Sequence, residues 1–309
     1  MKLDQRSIGR FWRFYEVPTW LLVVGVYGTW GLLTWFYPVL PWWLLLPAGG
    51  YIVALHGSLQ HELLHGHPTR WPWLNALLAR PSLWLWLPYG IYRDSHIVHH
   101  RTERLTCPLD DPESNYVFAE DWGRLGGTTR RVHEWRKTLL GRMLLGPAVA
   151  VWRLVRHEAP LLLRGDARAW RQWTVHALAT APVLWWALVV CDISLWAYVA
   201  FFAYPGLSLA LVRSFAEHAP VRDQARATAV VEASWPFAFL FLNNNLHALH
   251  HERPAMAWFL LPAAYRAERT GILKRNGFLL YKGYRQIFGR YLVRPIDQPI
   301  HPIYRSIRG

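Results

Sequence analysis

Apolar positions gather in two long uncharged tracts. No Asp, Glu, Lys or Arg occurs from Val17 to Gln60, and between Gln172 and Val212 Asp192 stands alone. A helix needs about 20 apolar residues to cross the hydrocarbon of a bilayer, so each tract has the length of two crossings. Each is also broken near its middle, by Tyr37-Pro38-Val39-Leu40-Pro41 in the first and Cys191-Asp192-Ile193-Ser194 in the second. Such residues interrupt a helix or favour a turn. The pattern predicts two helical hairpins, 19–37 with 41–60 and 173–190 with 194–212. The expected fold class is all-α integral membrane, a single domain over 1–309. Four transmembrane helices would carry a cytoplasmic helical cap built from 61–172 and 213–309.

The remaining segments are mixed. Segment 71–92 is apolar and aromatic but interrupted by Pro72, Pro81 and Pro88. A crossing there would put the histidine-rich stretches before and after it in opposite compartments, so it is read as interfacial or re-entrant. Segment 101–171 is the main excursion from the membrane, with helical periodicity around 128–164. Segment 232–246 is apolar and is expected to lie against the membrane. No internal repeat beyond the pair of hairpins is visible.

Composition agrees with this reading. Hydrophobic residues make up 53% of the chain, with 20 Trp, while charged residues are 17%, against about 25% in soluble domains. A soluble helical protein would have to bury 17–60 on every side. Lys2, Arg6, Arg10 and Arg13 precede the first tract, the central and C-terminal segments are Arg-rich, and the hairpin tips have neither Lys nor Arg. The excess of positive charge on the cytoplasmic side then places both termini in the cytoplasm, with a bacterial inner membrane as the expected location. Trp20, Trp42, Trp43, Trp185, Trp186 and Trp196 fall near the expected interfaces, as an aromatic belt does. The net charge of +14 suits membrane lipids with anionic headgroups or an acidic protein partner, and there is no nucleic-acid motif. Cys107 and Cys191 fall on opposite sides of the membrane, so no disulfide is expected. The first apolar stretch is too long for a cleavable signal peptide and lacks a small-residue cleavage site.

Chemistry enters with three histidine clusters: His61-Glu62-Leu63-Leu64-His65, His96-Ile97-Val98-His99-His100 and His247-Ala248-Leu249-His250-His251. Imidazoles three or four residues apart share a helix face. Eight of them exceed the four positions of a tetrahedral zinc site and point to two metals, each with four or more nitrogen ligands. His218, just after the second tract, would enter the cytoplasm at the same depth. A metal-bound imidazole usually gives its other N–H to a carboxylate or carbonyl. Glu62, Asp94, Glu217 and Glu252 are the local acids for that task, and Asn243, Asn244 and Asn245 precede the third cluster. Asp110-Asp111-Pro112-Glu113 reads as a loop or helix start rather than a ligand set. His56 and His67 offer alternative partners for His61 and His65.

The order HxxxH, HxxHH, isolated His, HxxHH, with two apolar hairpins among them, resembles the integral-membrane fatty acid desaturase superfamily over about residues 40 to 260. That superfamily includes hydroxylases and desaturase-like fatty acid decarboxylases. The resemblance implies two non-haem irons that act with dioxygen on a fatty acyl chain. It implies as ligands His61, His65, His96, His99, His100, His218, His247, His250 and His251. Desaturation is the expected reaction; decarboxylation to a terminal alkene and hydroxylation are the alternatives. The chain has no flavin, nicotinamide, haem or iron–sulfur fingerprint. Electrons are therefore expected from an external donor, a ferredoxin-like carrier with its reductase. One reading from another class stands beside this: His61-Glu62-Leu63-Leu64-His65 also matches HExxH, in which two histidines hold zinc and Glu62 is the general base of a membrane metalloprotease. It leaves both HxxHH clusters unexplained.

Overall fold

The computed structural model describes residues 12–223 and 226–304; Lys2, Arg6 and Arg10 of the topology argument lie outside them. Where the chain is uncharged it is helical. Helix α1 (Val17–Trp35) and helix α2 (Trp42–Leu64) pack together. A short helix, α3 (Pro72–Ala79), leads through an irregular turn to α4 (Tyr89–Arg101). At about 1.5 Å per residue α3 is too short to cross a bilayer, in keeping with a segment that does not span.

After a long loop come α5 (Ala119–Arg124), α6 (Gly127–Trp135) and the long amphipathic α7 (Leu139–Leu163). Thr138 caps α7 by accepting from the Gly141 N–H. Helix α8 (Ala167–Val190) ends in a π-helical turn, and α9 (Leu195–Ser214) contains another at Val199–Ala203. The rest of the chain is short pieces: α10 (Trp235–Leu240), α11 (His247–Glu252), α12 (Leu261–Arg275) and α13 (Tyr284–Tyr291). One feature corrects the all-α expectation. Val230–Val231 (β1) pairs in parallel with Leu280–Tyr281 (β2), too short a run for sequence periodicity to reveal.

Helices α1, α8 and α9 are long and apolar enough to cross a membrane, and no more than 33% of each apolar stretch is buried. Leu21, Val24 and Leu32 of α1 and Trp185 and Val189 of α8 point outward. Apolar surface on this scale is stable against hydrocarbon, not water. The protein is thus an integral membrane protein. Helix α2, counted as a span from sequence, is not among the three apolar helices, because its second half carries His56, Ser58, Gln60, His61 and Glu62.

That second half is the centre of the molecule, buried almost continuously from Gly49 to Leu63. The main neighbour of α9 is α2, with α7 on another side. Glycine makes this possible: a Cβ on Gly49 would stand 2.4 Å from the Phe201 carbonyl oxygen, and one on Gly206 2.5 Å from Val53 Cγ1. A polar bridge links three segments, as Trp30 Nε1 donates to Tyr198 Oη (3.0 Å), which donates to the Leu83 carbonyl (2.7 Å).

Candidate metal centre

The three clusters and His218 converge. Their nine imidazoles form two groups, His61, His65, His96, His100 and His250 in one, and His99, His218, His247 and His251 in the other. Within each group the candidate ligand atoms lie within 4.8 Å of one another. His61 is in the last turn of α2 and His65 caps it. Each HxxHH helix serves both groups. On α4 the i,i+4 pair His96 and His100 joins the first group and His99 the second; on α11 His247 and His251 join the second and His250 the first. The middle histidine is therefore the residue by which one helix turn reaches two centres.

Backbone pairing sets these helices in place. The Ala229 N–H donates to the Glu217 carbonyl, fixing the segment that bears His218. The Ala248 N–H donates to the Ala229 carbonyl and the Val231 N–H to that of Asn245, which docks the start of α11 on the same strand. Leu242 and Asn243 take positive φ values of 48° and 58° to turn the chain into α11.

The outward nitrogens are pinned. His96 Nδ1 lies 2.7 Å from Glu113 Oε1 and His99 Nδ1 2.8 Å from Asp111 Oδ1. His247 Nδ1 faces Asn244 Oδ1 at 3.1 Å and Glu217 Oε1 at 3.5 Å. Asn244 Nδ2 also lies 3.3 Å from His61 Nε2, so this one amide touches both groups. Asp111 and Glu113 belong to the acidic run that sequence reading set aside as a loop. It is a loop, and its carboxylates back two of the histidines. An acidic run shortly after HxxHH was the available signal, given how regularly metal-bound imidazoles are backed by carboxylates.

Other candidates face elsewhere. Asp94 pairs with Arg93 and Arg168, and Glu252 with Arg275. Asn243 donates to the Trp258 carbonyl and Asn245 to that of Val231. Glu62 accepts from the Trp258 N–H (2.8 Å) and lies 3.8 Å from His67 Nε2. His61 and His65 of the HExxH segment stand in a five-imidazole group with His96, His100 and His250 rather than in a site of two histidines and one further ligand. His56 sits between Tyr27 and Trp84, and His67 pairs with Glu16. Neither joins the groups.

The donor set fits metal. With Nδ1 engaged as donor, the neutral form of His96, His99 or His247 presents a lone pair at Nε2. Those lone pairs face other Nε2 atoms: His96 and His100 at 3.0 Å, His99 and His218 at 3.1 Å, His218 and His247 at 3.1 Å, His247 and His251 at 3.2 Å. Each neutral imidazole has a single N–H, so Nε2 atoms crowded in this way cannot all pair with one another, and a cation among them removes the conflict. Burial keeps them deprotonated. It pulls His100 and His218 down to about 3, and His247, His250 and His251 well below the usual imidazole range. His99 differs: burial opposes its charge, but Glu113, Asp111 and Glu217 hold it up at about 9. Burial would raise Glu113, and His99 and His96 overcome that to keep it well below the carboxylate range.

The model of the family described as fatty acid desaturase matches residues 38–282, which contain α2 and all nine histidines. This chain belongs to the fatty acid desaturase family. As a member of it, the protein is an oxidoreductase, and its two nitrogen-only groups are consistent with the metal site of a desaturase. No curated protein matches the chain.

Proposed function

We propose that this desaturase-family protein holds two non-haem irons and inserts an internal double bond into a fatty acyl chain. The observation that carries the reading is the pair of adjacent all-imidazole groups with their outer nitrogens pinned. His61, His65, His96, His100 and His250 would hold one iron, and His99, His218, His247 and His251 the other. The irons, when bound, supply the activation of dioxygen. The protein's own part is orientation: Asp111, Glu113, Glu217 and Asn244 hold imidazoles in the tautomer and direction that ligation needs. The overall change takes two hydrogens from the chain, with one dioxygen, two electrons and two protons giving two waters. These 309 residues carry no flavin, nicotinamide, haem or iron–sulfur fingerprint, and the proposal assigns the electrons to an external ferredoxin-like carrier with its reductase.

A long hydrocarbon has room in the fold. One apolar groove of about 600 Å³ runs along α1 and α2 from Pro18 to Leu33, with Phe239 and Trp258 at its walls. Another of about 620 Å³ lies among Trp84, Trp86, α7 and the π-helical part of α9. Both are within the usual size of small-molecule sites.

The two apolar pairs, α1 with α2 and α8 with α9, would form four crossings, with termini and histidines in the cytoplasm. Cysteines in place of the exposed Val39 and Trp196 are expected to react with an impermeant thiol reagent from outside, and cysteines in place of Arg124 and Arg275 are not. Outside labelling at position 124 contradicts this topology.

Product analysis tests the reaction. In a host with an added donor system, lipids and headspace gas are expected to contain an acyl chain of unchanged carbon number with an internal double bond. A hydroxylated chain, or a 1-alkene one carbon shorter without any unsaturated acyl product, overturns desaturation in favour of the corresponding alternative.

A further inference from the structure

Helix α7 carries Arg142, Arg153, Arg156 and Glu158 and is not among the helices apolar enough to cross a membrane. Yet one of its faces is apolar and uncovered. Leu144, Ala148, Trp152, Val155 and Leu163 recur at helical spacing and are all exposed, Leu163 to 88%. The adjoining face of its second half is basic. Arg153 and Arg156 are exposed and three residues apart, so their side chains are neighbours on the helix surface. Arg164 follows at the C-terminal cap, and Arg171 stands in α8 about two turns before the exposed Leu178. The acids of this corner are engaged by other groups. Asp166 accepts from the Ala169 N–H, and the buried Glu158 meets His157 Nδ1 (2.9 Å) and Trp173 Nε1 (3.1 Å). Arg153 gives one N–H to the Ser114 carbonyl (3.2 Å). Among the described residues, the ion pairs of the corner are His157 with Glu158 and Arg168 with Asp94, which leaves Arg153, Arg156, Arg164 and Arg171 outside any.

Ala148, Trp152 and Val155 also wall the groove of about 620 Å³ whose other sides are Trp84, Trp86 and the Val199–Leu207 stretch of α9. The apolar face of α7 is therefore continuous with the surface of a helix able to cross the membrane, and the bilayer covers both. An apolar face bordered by arginines is the arrangement of a helix that lies in the headgroup boundary. The other groove, along α1 and α2, is the one that meets the metal centre, since the N–H of its Trp258 holds Glu62 beside His61.

We propose that the α7–α8 corner binds an anionic phospholipid, with its phosphate on Arg153 and Arg156 and one acyl tail in the groove past Trp152 and Val155. A guanidinium offers paired N–H groups to phosphate oxygens, and two of them at i,i+3 offer two such forks. A zwitterionic headgroup brings a cation of its own toward Arg164 and Arg171 and is disfavoured. The bound lipid fastens α7 to α9. The proposal does not depend on which oxidation the protein performs.

Thermal unfolding of the purified, metal-loaded protein in neutral detergent, titrated with phosphatidylglycerol or phosphatidylcholine, measures the binding. Phosphatidylglycerol is expected to raise the unfolding temperature saturably, by roughly 2–5 °C more than phosphatidylcholine, as a ligand of the folded state alone does. The double variant Arg153→Gln with Arg156→Gln is expected to remove that difference. Arg266→Gln, which removes an exposed cation on α12, is expected to keep it. Inorganic phosphate and glycerophosphoglycerol, which lack acyl tails, are expected to give no rise. Native mass spectrometry of the parent protein is expected to show one retained phosphatidylglycerol per chain, a readout that stands even if the double variant does not fold. Equal effects of the two lipids, a phosphatidylglycerol effect kept in a folded double variant or lost in Arg266→Gln, a rise with either tail-less anion, or no retained lipid each overturns the proposal.

Discussion

Replacing His247 by alanine is expected to abolish product formation and to lower bound iron from about two to about one per chain, since a four-nitrogen site loses a quarter of its donors while the five-nitrogen site keeps all of its own. The alanine also leaves Asn244 Oδ1 without the His247 Nδ1 that lies 3.1 Å from it. His100→Ala touches the other group, which keeps four imidazoles, and is expected to weaken its hold on iron and lower activity. Metal analysis of detergent-purified variants measures both. Asp94→Asn and Glu252→Gln serve as controls, because these acids pair with arginines and not with imidazoles. Their iron content is expected to match the parent protein. Unchanged iron in both His247→Ala and His100→Ala means that the groups do not hold metal.

Asp111→Asn is the second large effect. The Asp111 side chain receives three groups at once: His99 Nδ1, the Thr106 N–H at 2.8 Å and the Glu113 N–H at 2.9 Å. Thr106 is held at φ 68°, a conformation that persists only when its surroundings over-determine it. Its N–H bond to Asp111 and its hydroxyl contact with His301 do so. An amide keeps much of this loop in place but removes the charge behind His99. Iron affinity and activity are expected to fall about 10- to 100-fold with the fold retained, as is typical when the outer partner of a ligating histidine is lost. Competition with a chelator gives the affinity, and near-ultraviolet circular dichroism checks the fold. Parent-level affinity in a folded Asp111→Asn variant would show that this carboxylate does not serve the metal.

What sequence made legible, and what it hid, follows from the range of the interactions. Helices α1, α8 and α9 were visible because a bilayer demands a long run without charge, a property of each segment by itself. The HxxHH clusters were visible because helical spacing is local too. The division of each cluster between two groups was not, since it depends on where α2 and His218 stand relative to α4 and α11. The backing of His96 and His99 was hidden for a similar reason. It depends on a loop folded over α4 by Thr106 and by a C-terminal segment almost 200 residues away, where His301 meets Thr106. Glu62 and Asp94 were plausible from proximity along the chain, but the first is turned toward the Trp258 N–H and the second toward Arg168. The β1–β2 pair, two residues a side, has no periodic signature, yet it sets His218 and α11 in register.

Anomalous diffraction at the iron absorption edge, on crystals of the protein expressed with iron, tests the central claim most directly. Two peaks are expected, one among His61, His65, His96, His100 and His250 and the other among His99, His218, His247 and His251, each about 2 Å from its nitrogens, the length usual for bonds of first-row metals to imidazole. A single peak, or zinc at full occupancy in place of iron, contradicts the di-iron account.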